Sequence, residues 1–244
     1  MSSLIVNNIT KIFGKPLKNK VNVLESASGE WEEGKIHAIT GKNGAGKSTL
    51  LKIMCGLTTQ DSGTVLIPPT LGPLGFKYKS KIAYLSPNGG LHPRLTIEEN
   101  ILSYKNICTN NKTYPIDIKS IISKLNLSAY MKAYPSDVST GIIQKARIAQ
   151  ILGINPKVIL LDEPTSGLDI DAKYHVYEIL KELSTKNKIV LMATHDISEI
   201  SGVCDSLSVV ANGQIKQRHS VLDNISTKDS IDSIHNFIQA EMRP

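Results

Sequence analysis

The sequence predicts an α/β fold: a mixed, largely parallel sheet core carrying a helical insertion, with an antiparallel β region at its N-terminus. Three observations carry this. Lys35–Thr40, Lys157–Leu161 and Lys188–Thr194 are apolar runs of strand length bounded by turn residues, as strands covered on both faces require. Segments with apolar residues at helical spacing alternate with them, which favours parallel neighbours. From about Asn88 to Ile154 the strand signals stop and only helical spacing remains.

In chain order, Leu4–Ile9 and Lys35–Thr40 read as strands, with Trp31–Gly34 as a turn between them. Gly41–Ser48 is glycine-rich and leads into a helical stretch, Thr49–Cys55, which Gly56 should stop. Strands are expected at Thr64–Ile67 and Lys81–Leu85. Thr96 before Glu98 and Glu99 marks a helix start, with acidic residues at the positive end of the dipole. Ile116–Leu125 and Ile142 to about Gly153 follow as helices, the second ending before Pro156. Then come strand Lys157–Leu161, helix Asp171–Ser184 and strand Lys188–Thr194. Ser206–Ala211 and Gln214–Arg218 form a hairpin across Asn212-Gly213, a pair suited to positive φ. Ile231, Ile234 and Ile238 lie one helical face apart, so Ile231–Met242 is expected to dock on the body. The organisation expected is one domain over 1–228, with its core in 1–87 and 155–228 and a helical subdomain in 88–154, followed by a helical tail at 229–244.

With 41% hydrophobic and 20% charged residues over 244 positions, the chain has the make-up of a soluble globular protein of one large or two small domains. The longest apolar runs, Val158–Leu161 and Ile189–Ala193, fall far short of the roughly 18 residues a bilayer span needs. No basic region followed by an apolar stretch opens the chain, so no secretory signal is read. Cys55, Cys108 and Cys204 share no CxxC spacing, which points to a reducing cytoplasm without a disulfide framework or zinc site. The net charge of +6 could favour anionic partners, but no dense basic cluster appears, and scattered solvated lysines account for it.

Two segments carry chemistry. Gly41-Lys42-Asn43-Gly44-Ala45-Gly46-Lys47-Ser48 is a GxxxxGK[ST] loop between an apolar strand and a helix. Its glycines let backbone N–H groups face phosphate oxygens, and the helix N-terminus adds partial positive charge. Lys47 should reach the β- and γ-phosphates, and the Ser48 hydroxyl should ligate Mg²⁺. Gly41, Asn43, Gly44, Ala45, Gly46, Lys47, Ser48 and Thr49 are the candidate nucleotide-binding residues. The second segment, Val158-Ile159-Leu160-Leu161-Asp162-Glu163, is a buried strand ending in two carboxylates. Asp162 should hold Mg²⁺, and Glu163 should polarise the attacking water.

Asp162-Glu163-Pro164-Thr165-Ser166-Gly167-Leu168-Asp169 resembles the joined Walker B and D-loop of ABC ATPases. Upstream, Val138-Ser139-Thr140-Gly141-Ile142-Ile143-Gln144-Lys145 is similar to that family's signature, and Met192-Ala193-Thr194-His195-Asp196 resembles its switch-histidine segment. The resemblance runs from Phe13 to about Gly213 and implies a P-loop NTPase of RecA-like fold. It also implies ATP and Mg²⁺ as cofactors, and a head-to-tail dimer in which each ATP lies between one subunit's phosphate loop and the other's signature. Ser139 and Gly141 would then complete the site in trans, His195 would contact the γ-phosphate, and Phe13 would stack on adenine.

The chain departs from that family in two places. Thr140 replaces the signature's first glycine, and the Ser-Thr-Gly form resembles sodium-extrusion and peptide-immunity exporters. Pro87 stands where the family's Q-loop glutamine, a Mg²⁺ and water ligand, is expected; Asn88 is the residue expected to take its place. The implied function is the ATP-hydrolysing subunit of an exporter, peripheral on the inner face of the cell membrane. Its implied partners are a permease on a separate chain and a second, identical or different, ATPase subunit, with no nucleic acid. A soluble ABC ATPase acting on DNA or ribosomes is the alternative, disfavoured because there is room for one such domain and no coiled coil or zinc insertion. A regulatory module without turnover is disfavoured by the joint presence of Glu163 and His195.

Overall fold

A computed structural model of the chain describes residues 2–14, 20–68, 81–108, 118–218 and 227–242. Strands β1 (Ser3–Phe13), β2 (Val21–Glu32) and β4 (Ser62–Leu66) form an antiparallel sheet in the order β2-β1-β4. The second sheet has the order β5-β6-β7-β3-β8-β9, built from β3 (Ile36–Thr40), β5 (Ile82–Leu85), β6 (Val158–Asp162), β7 (Ile189–Ala193), β8 (Ser206–Ala211) and β9 (Gln214–Arg218). Its first five strands are parallel, and β9 pairs antiparallel with β8. The expected α/β class, parallel core and antiparallel N-terminal region are therefore all present.

Every residue of β3, β6 and β7 is buried, and the two-residue period of a strand sorts their side chains between two cores. Val158 and Leu160 join Ile189 and Leu191 beneath the N-terminal sheet, packed with Leu50 and Met54 of α1 (Lys47–Met54). Ile159, Leu161, Val190 and Met192 face the helices on the other side. Each fully buried Leu or Ile contributes roughly 1.5–3 kcal/mol, so packing on both faces holds these strands in place. Trp31 is fully buried, and its Nε1 donates to Ser208 Oγ at 3.1 Å, tying the two sheets together.

Local signals set the ends of the elements. At the close of α1, Gly56 takes φ 72°, its N–H bonds the Ile53 carbonyl at 3.0 Å, and the Leu57 N–H bonds the Lys52 carbonyl at 2.9 Å. That pairing satisfies the last carbonyls of the helix. Helix α2 (Ile97–Cys108) opens with a reciprocal cap: Glu99 N–H donates to Thr96 Oγ1 at 3.2 Å, and Thr96 N–H donates to Glu99 Oε2 at 2.8 Å. The β8–β9 turn uses Asn212 at φ 51° and Gly213 at φ 73°, as the sequence predicts.

The described elements between β5 and β6 are all helical: α2, α3 (Ile118–Lys124), two short 3₁₀ turns and α4 (Thr140–Leu152), with α2 packed on α4. The first two residues of the predicted helix Ile116–Leu125 lie outside the described residues. Helix α5 (Ile170–Ser184) follows β6 and α6 (Ile197–Val203) follows β7. Helix α7 (Thr227–Glu241) packs on α6 and β8, burying Ile234 and Ile238 but leaving Ile231 41% exposed. Among the described residues, no helix is long and apolar enough to cross a membrane.

Two readings change. Trp31 and Glu32 belong to β2, so the turn before β3 is only Glu33-Gly34. β2 itself escapes the pattern because half of its residues are exposed and it carries Glu25, Ser26, Ser28 and Glu30, polar residues with no clean alternation. The short helix α6 was not predicted either, since seven residues give too few turns to show a period.

Candidate functional site

Neighbouring parallel strands β6, β7 and β3 end side by side, which brings Asp162, Ala193 and Thr40, and the loops after them, to one edge. The carboxyl edge of a parallel sheet is where this architecture binds ligands. The loop after β3 runs Gly41–Gly46 and turns into α1. Gly41 has φ 150°, and a Cβ there would stand 2.3 Å from the Val210 carbonyl oxygen, so only glycine fits. Gly46 has φ 105° and is the N-cap of α1, with no side-chain cap and no acidic residue in the first turn. Such an end is open to an anion.

Lys47 is 8% exposed, and its Nζ donates to the carbonyls of Gly41 at 2.7 Å and Lys42 at 3.1 Å. Burial pushes its pKa down, opposed by the negative charges of Glu163 and Asp162. A cavity of about 340 Å³ opens in front of it, lined by Asn43, Gly44, Gly46, Lys47, Ser48 and Thr49 on one side and by Asp162 and Glu163 on the other. Phe13, half exposed at the end of β1, and Val23 close a third side, and Lys11 Nζ sits 5.3 Å from the Phe13 ring centroid. Gly41 and Ala45 are not among the lining residues.

Asp162 is buried at the tip of β6 and accepts a hydrogen bond from Tyr84 Oη at 3.2 Å. Burial and the adjacent Asp162 charge raise the Tyr84 pKa well above the usual phenol range, so the phenol stays a donor. Glu163, next in the chain, is a non-glycine residue at φ 51°, held there by its N–H donating to the Ala193 carbonyl at 2.9 Å. Left-handed backbone at a bulky residue costs of order 1–3 kcal/mol and concentrates at functional sites. His195 Nδ1 stands 3.4 Å from Glu163 Oε1, with the imidazole largely exposed beside the cavity.

The remaining predicted residues are placed apart. Ser139 is the exposed N-cap of α4, its Oγ accepting from Ile142 N–H at 3.4 Å, and neither it nor Gly141 lines the cavity. A Cβ on Gly141 would meet nothing nearer than 3.6 Å, so nothing within the chain demands glycine there. Pro87 lines the cavity, whereas Asn88 is exposed and outside its lining. The turn at 87–88 thus presents the imino acid to the cavity, with Asn88 beside it.

Sequence reading gave no role to four further residues. Tyr84 has no motif of its own. Glu199 is buried on α6, accepts hydrogen bonds from Thr165, Thr194 and Tyr177, and joins the loop after Glu163 to the loop carrying His195. Gln144 and Arg147 of α4 reach Pro164 and Ser86. Gln144 stands inside the signature-like segment without a role read for it, and the contacts that tie these residues to the site join segments 20 to 78 residues apart.

A roomier cavity, about 620 Å³, lies at the opposite, amino ends of β6 and β7 beside Lys157 and Lys188. The ammonium groups of Lys124, Lys157, Lys186 and Lys188 are each held by protein oxygens, which makes it a structural seam.

A buried ammonium, an uncapped helix start and a facing carboxylate suit a nucleoside triphosphate with a divalent cation. Among the described residues, no cluster of three or more His, Cys, Asp or Glu could hold a metal alone. A cation here would need oxygens of the ligand, which is how Mg²⁺ is held beside phosphates.

Comparison with known proteins agrees. The ABC transporter family model matches residues 24–166, more than half of the chain. An aliphatic sulfonates import ATP-binding protein of Bacillus thuringiensis subsp. konkukian is 31% identical over 220 residues, covering 90% of this chain and 85% of that protein. A Nod factor export ATP-binding protein I of Rhizobium etli is 27% identical over 216 residues, 88% of this chain and 67% of that protein. A solved ATP-binding subunit of an ABC transporter superposes with TM-score 0.80 at 26% identity, covering 97% of this chain and 99% of that one. A dimeric bacterial ABC transporter cassette, at 24% identity and TM-score 0.78 over 88% of this chain and 98% of that one, shares the fold. The chain belongs to the ABC transporter family, as an ATP-binding subunit with ATPase activity.

Proposed function

We propose that this chain is the motor of a membrane transporter, closing head to tail on a second ATPase subunit around two ATP molecules and so driving a permease on a separate chain. The observation that carries this is Glu163, held at left-handed φ on the cavity wall opposite buried Lys47, with His195 against its carboxylate. A carboxylate that a fold strains into place beside a cavity lined by a glycine-rich loop and a buried lysine suits a general base.

In this reading, Lys47 and the N–H groups of residues 43–49 bind the β- and γ-phosphates, and Phe13 stacks on adenine. Ser48 and Asp162 hold Mg²⁺, which when bound neutralises charge on the phosphate oxygens. Tyr84 orients Asp162 by its 3.2 Å hydrogen bond. Glu163 takes the proton of the attacking water, and His195 holds that carboxylate and contacts the γ-phosphate. Ser139 and Gly141, at the start of α4 and outside the subunit's own cavity, serve the second subunit's ATP. Residues 1–87 and 155–228 act as the core, 88–154 as a helical subdomain and 229–244 as a tail; the support is that every described element from 97 to 152 is helical.

The inner face of the cell membrane is the place this function requires. Export, read from Ser139-Thr140-Gly141, gains no support from the relatives, whose names include importers as well as an exporter. The proposal is therefore for a motor whose direction the permease sets. To test it, Glu163→Gln carrying a tag is expressed in its native cells, and its partners are isolated from detergent-solubilised membranes with ATP–Mg²⁺. A polytopic membrane protein is expected. Ribosomes or DNA without a membrane chain would overturn the proposal.

A further inference from the structure

Arg147 is a cation buried among neutral oxygens. It lies on α4, 7% exposed, and its Nη1 donates to Gln144 Oε1 at 2.7 Å while its Nη2 donates to the Ser86 carbonyl. No carboxylate forms an ion pair with it among the described residues, and burial lowers its pKa unopposed. Gln144 in turn donates through Nε2 to the Pro164 carbonyl at 2.7 Å. One turn of α4 therefore grips two loops. One leads into Pro87, the other follows Glu163, and both of those residues line the ATP cavity.

A buried charge without a counter-charge is a costly way to fill space, and an apolar side chain of similar volume would pack there at lower cost. What the guanidinium adds is direction: its fixed fork ties a backbone carbonyl in one segment to a side chain in another. Arg147 lies eight residues beyond the N-cap Ser139 on the same helix, so the contacts at Ser86 and Pro164 fix the orientation of the helix whose start carries Ser139 and Gly141.

We propose that Gln144 and Arg147 are positioning residues that make the angle of the signature helix follow the state of the subunit's own ATP cavity, thereby coupling the two ATP sites of a dimer. This rests on the dimer of the preceding section. The pair adds nothing to nucleotide binding by a single subunit. It sets how well that subunit's Ser139 and Gly141 meet ATP bound by its partner.

Gly89 offers a way to disturb the clamp from outside the core. It is exposed, its φ lies outside the left-handed region, and a Cβ there would stand 2.8 Å from Arg147 Nη2. Gly89→Ala therefore displaces the guanidinium without removing a buried side chain. In a Glu163→Gln background, Gly89→Ala, Arg147→Met and Arg147→Lys are compared with the parent. Affinity for a fluorescent ATP analogue is measured on dilute monomer, ATP–Mg²⁺-dependent dimerisation by sedimentation, and melting temperature alongside.

The expected result is nucleotide affinity within twofold of the parent for Gly89→Ala and Arg147→Met, with dimerisation weakened at least tenfold. Arg147→Lys should recover part of the loss, since one ammonium can still reach one of the two acceptors. Parental dimerisation in Gly89→Ala and Arg147→Met overturns the inference. So does an equal loss of monomer affinity, dimerisation and melting temperature in Gly89→Ala, which would make the clamp merely structural. A parent that binds ATP but stays monomeric overturns the dimer reading itself, and the inference with it.

Discussion

His195 Nδ1 lies 3.4 Å from Glu163 Oε1, although the two residues sit on loops after different strands. The contact exists because β6 and β7 are parallel neighbours with Asp162 opposite Ala193, so their loops leave the sheet side by side. His195→Ala removes the group that holds the carboxylate while leaving the phosphate loop untouched. Turnover should fall roughly a hundredfold with nucleotide affinity nearly unchanged. Equilibrium binding and steady-state hydrolysis, measured on one preparation, check this.

Tyr84→Phe keeps the ring and deletes the donor to Asp162, a contact of 3.2 Å. Loss of a hydrogen bond behind a metal ligand weakens metal binding by roughly tenfold or more. Mn²⁺ titration by electron paramagnetic resonance, with ATP present, should show that loss at an unchanged melting temperature. Unchanged Mn²⁺ affinity would remove Tyr84 from the site.

Gly141→Ala separates the fold from the function. The position is helical and has room for a Cβ, with its nearest neighbour at 3.6 Å. Alanine there should stabilise the monomer by roughly 0.5–1 kcal/mol. If the partner's phosphates approach that backbone, ATP-driven dimerisation should nevertheless weaken severalfold or more. A variant that melts higher and dimerises like the parent would place the partner's nucleotide elsewhere.

His37 gives the fold a pH dependence of known sign. It is buried at 2% exposure, with Nε2 2.9 Å from the Glu32 carbonyl and Nδ1 2.6 Å from Ser206 Oγ. A carbonyl only accepts, so Nε2 carries the proton and the Ser206 hydroxyl donates to Nδ1. Burial pushes the pKa below the ordinary 6.5, outweighing that Glu32 contact and the nearby Asp205 charge. The unfolded chain thus takes up a proton near pH 6.5 while the folded chain does not. Stability should be full above that pH and fall as pH drops through the window below it, by at most about 1.4 kcal/mol per pH unit. Urea midpoints between pH 7 and 5 should show this slope, and His37→Gln should flatten it.

Much of this molecule was legible where one stretch of sequence carries its own physics. The phosphate loop announces itself because Gly41 and Gly46 need backbone that side chains forbid, and Val158–Leu161 because a strand covered on both faces must be apolar throughout. Asn212-Gly213 is legible for the same reason as Gly41. What was not legible depends on partners distant in sequence. β2 holds its place through pairing with β1, not through alternation. Tyr84 meets Asp162 only because β5 and β6 are parallel neighbours. Arg147 looks like an ordinary helix cation until α4 packs against the loop at Ser86. The exposure of Asn88 beside Pro87 likewise follows from a turn that the residue types alone did not orient.

Everything proposed for this chain turns on Glu163 acting as the base of an ATP site built on Lys47, Ser48 and Asp162. The measurement that reaches it most directly pairs ATP affinity with single-turnover hydrolysis for purified parent and Glu163→Gln at saturating ATP–Mg²⁺. In Glu163→Gln, ATP affinity should stay within a few fold of the parent while hydrolysis slows by at least about a hundredfold. Hydrolysis at the parental rate would contradict that role for Glu163 and require another base.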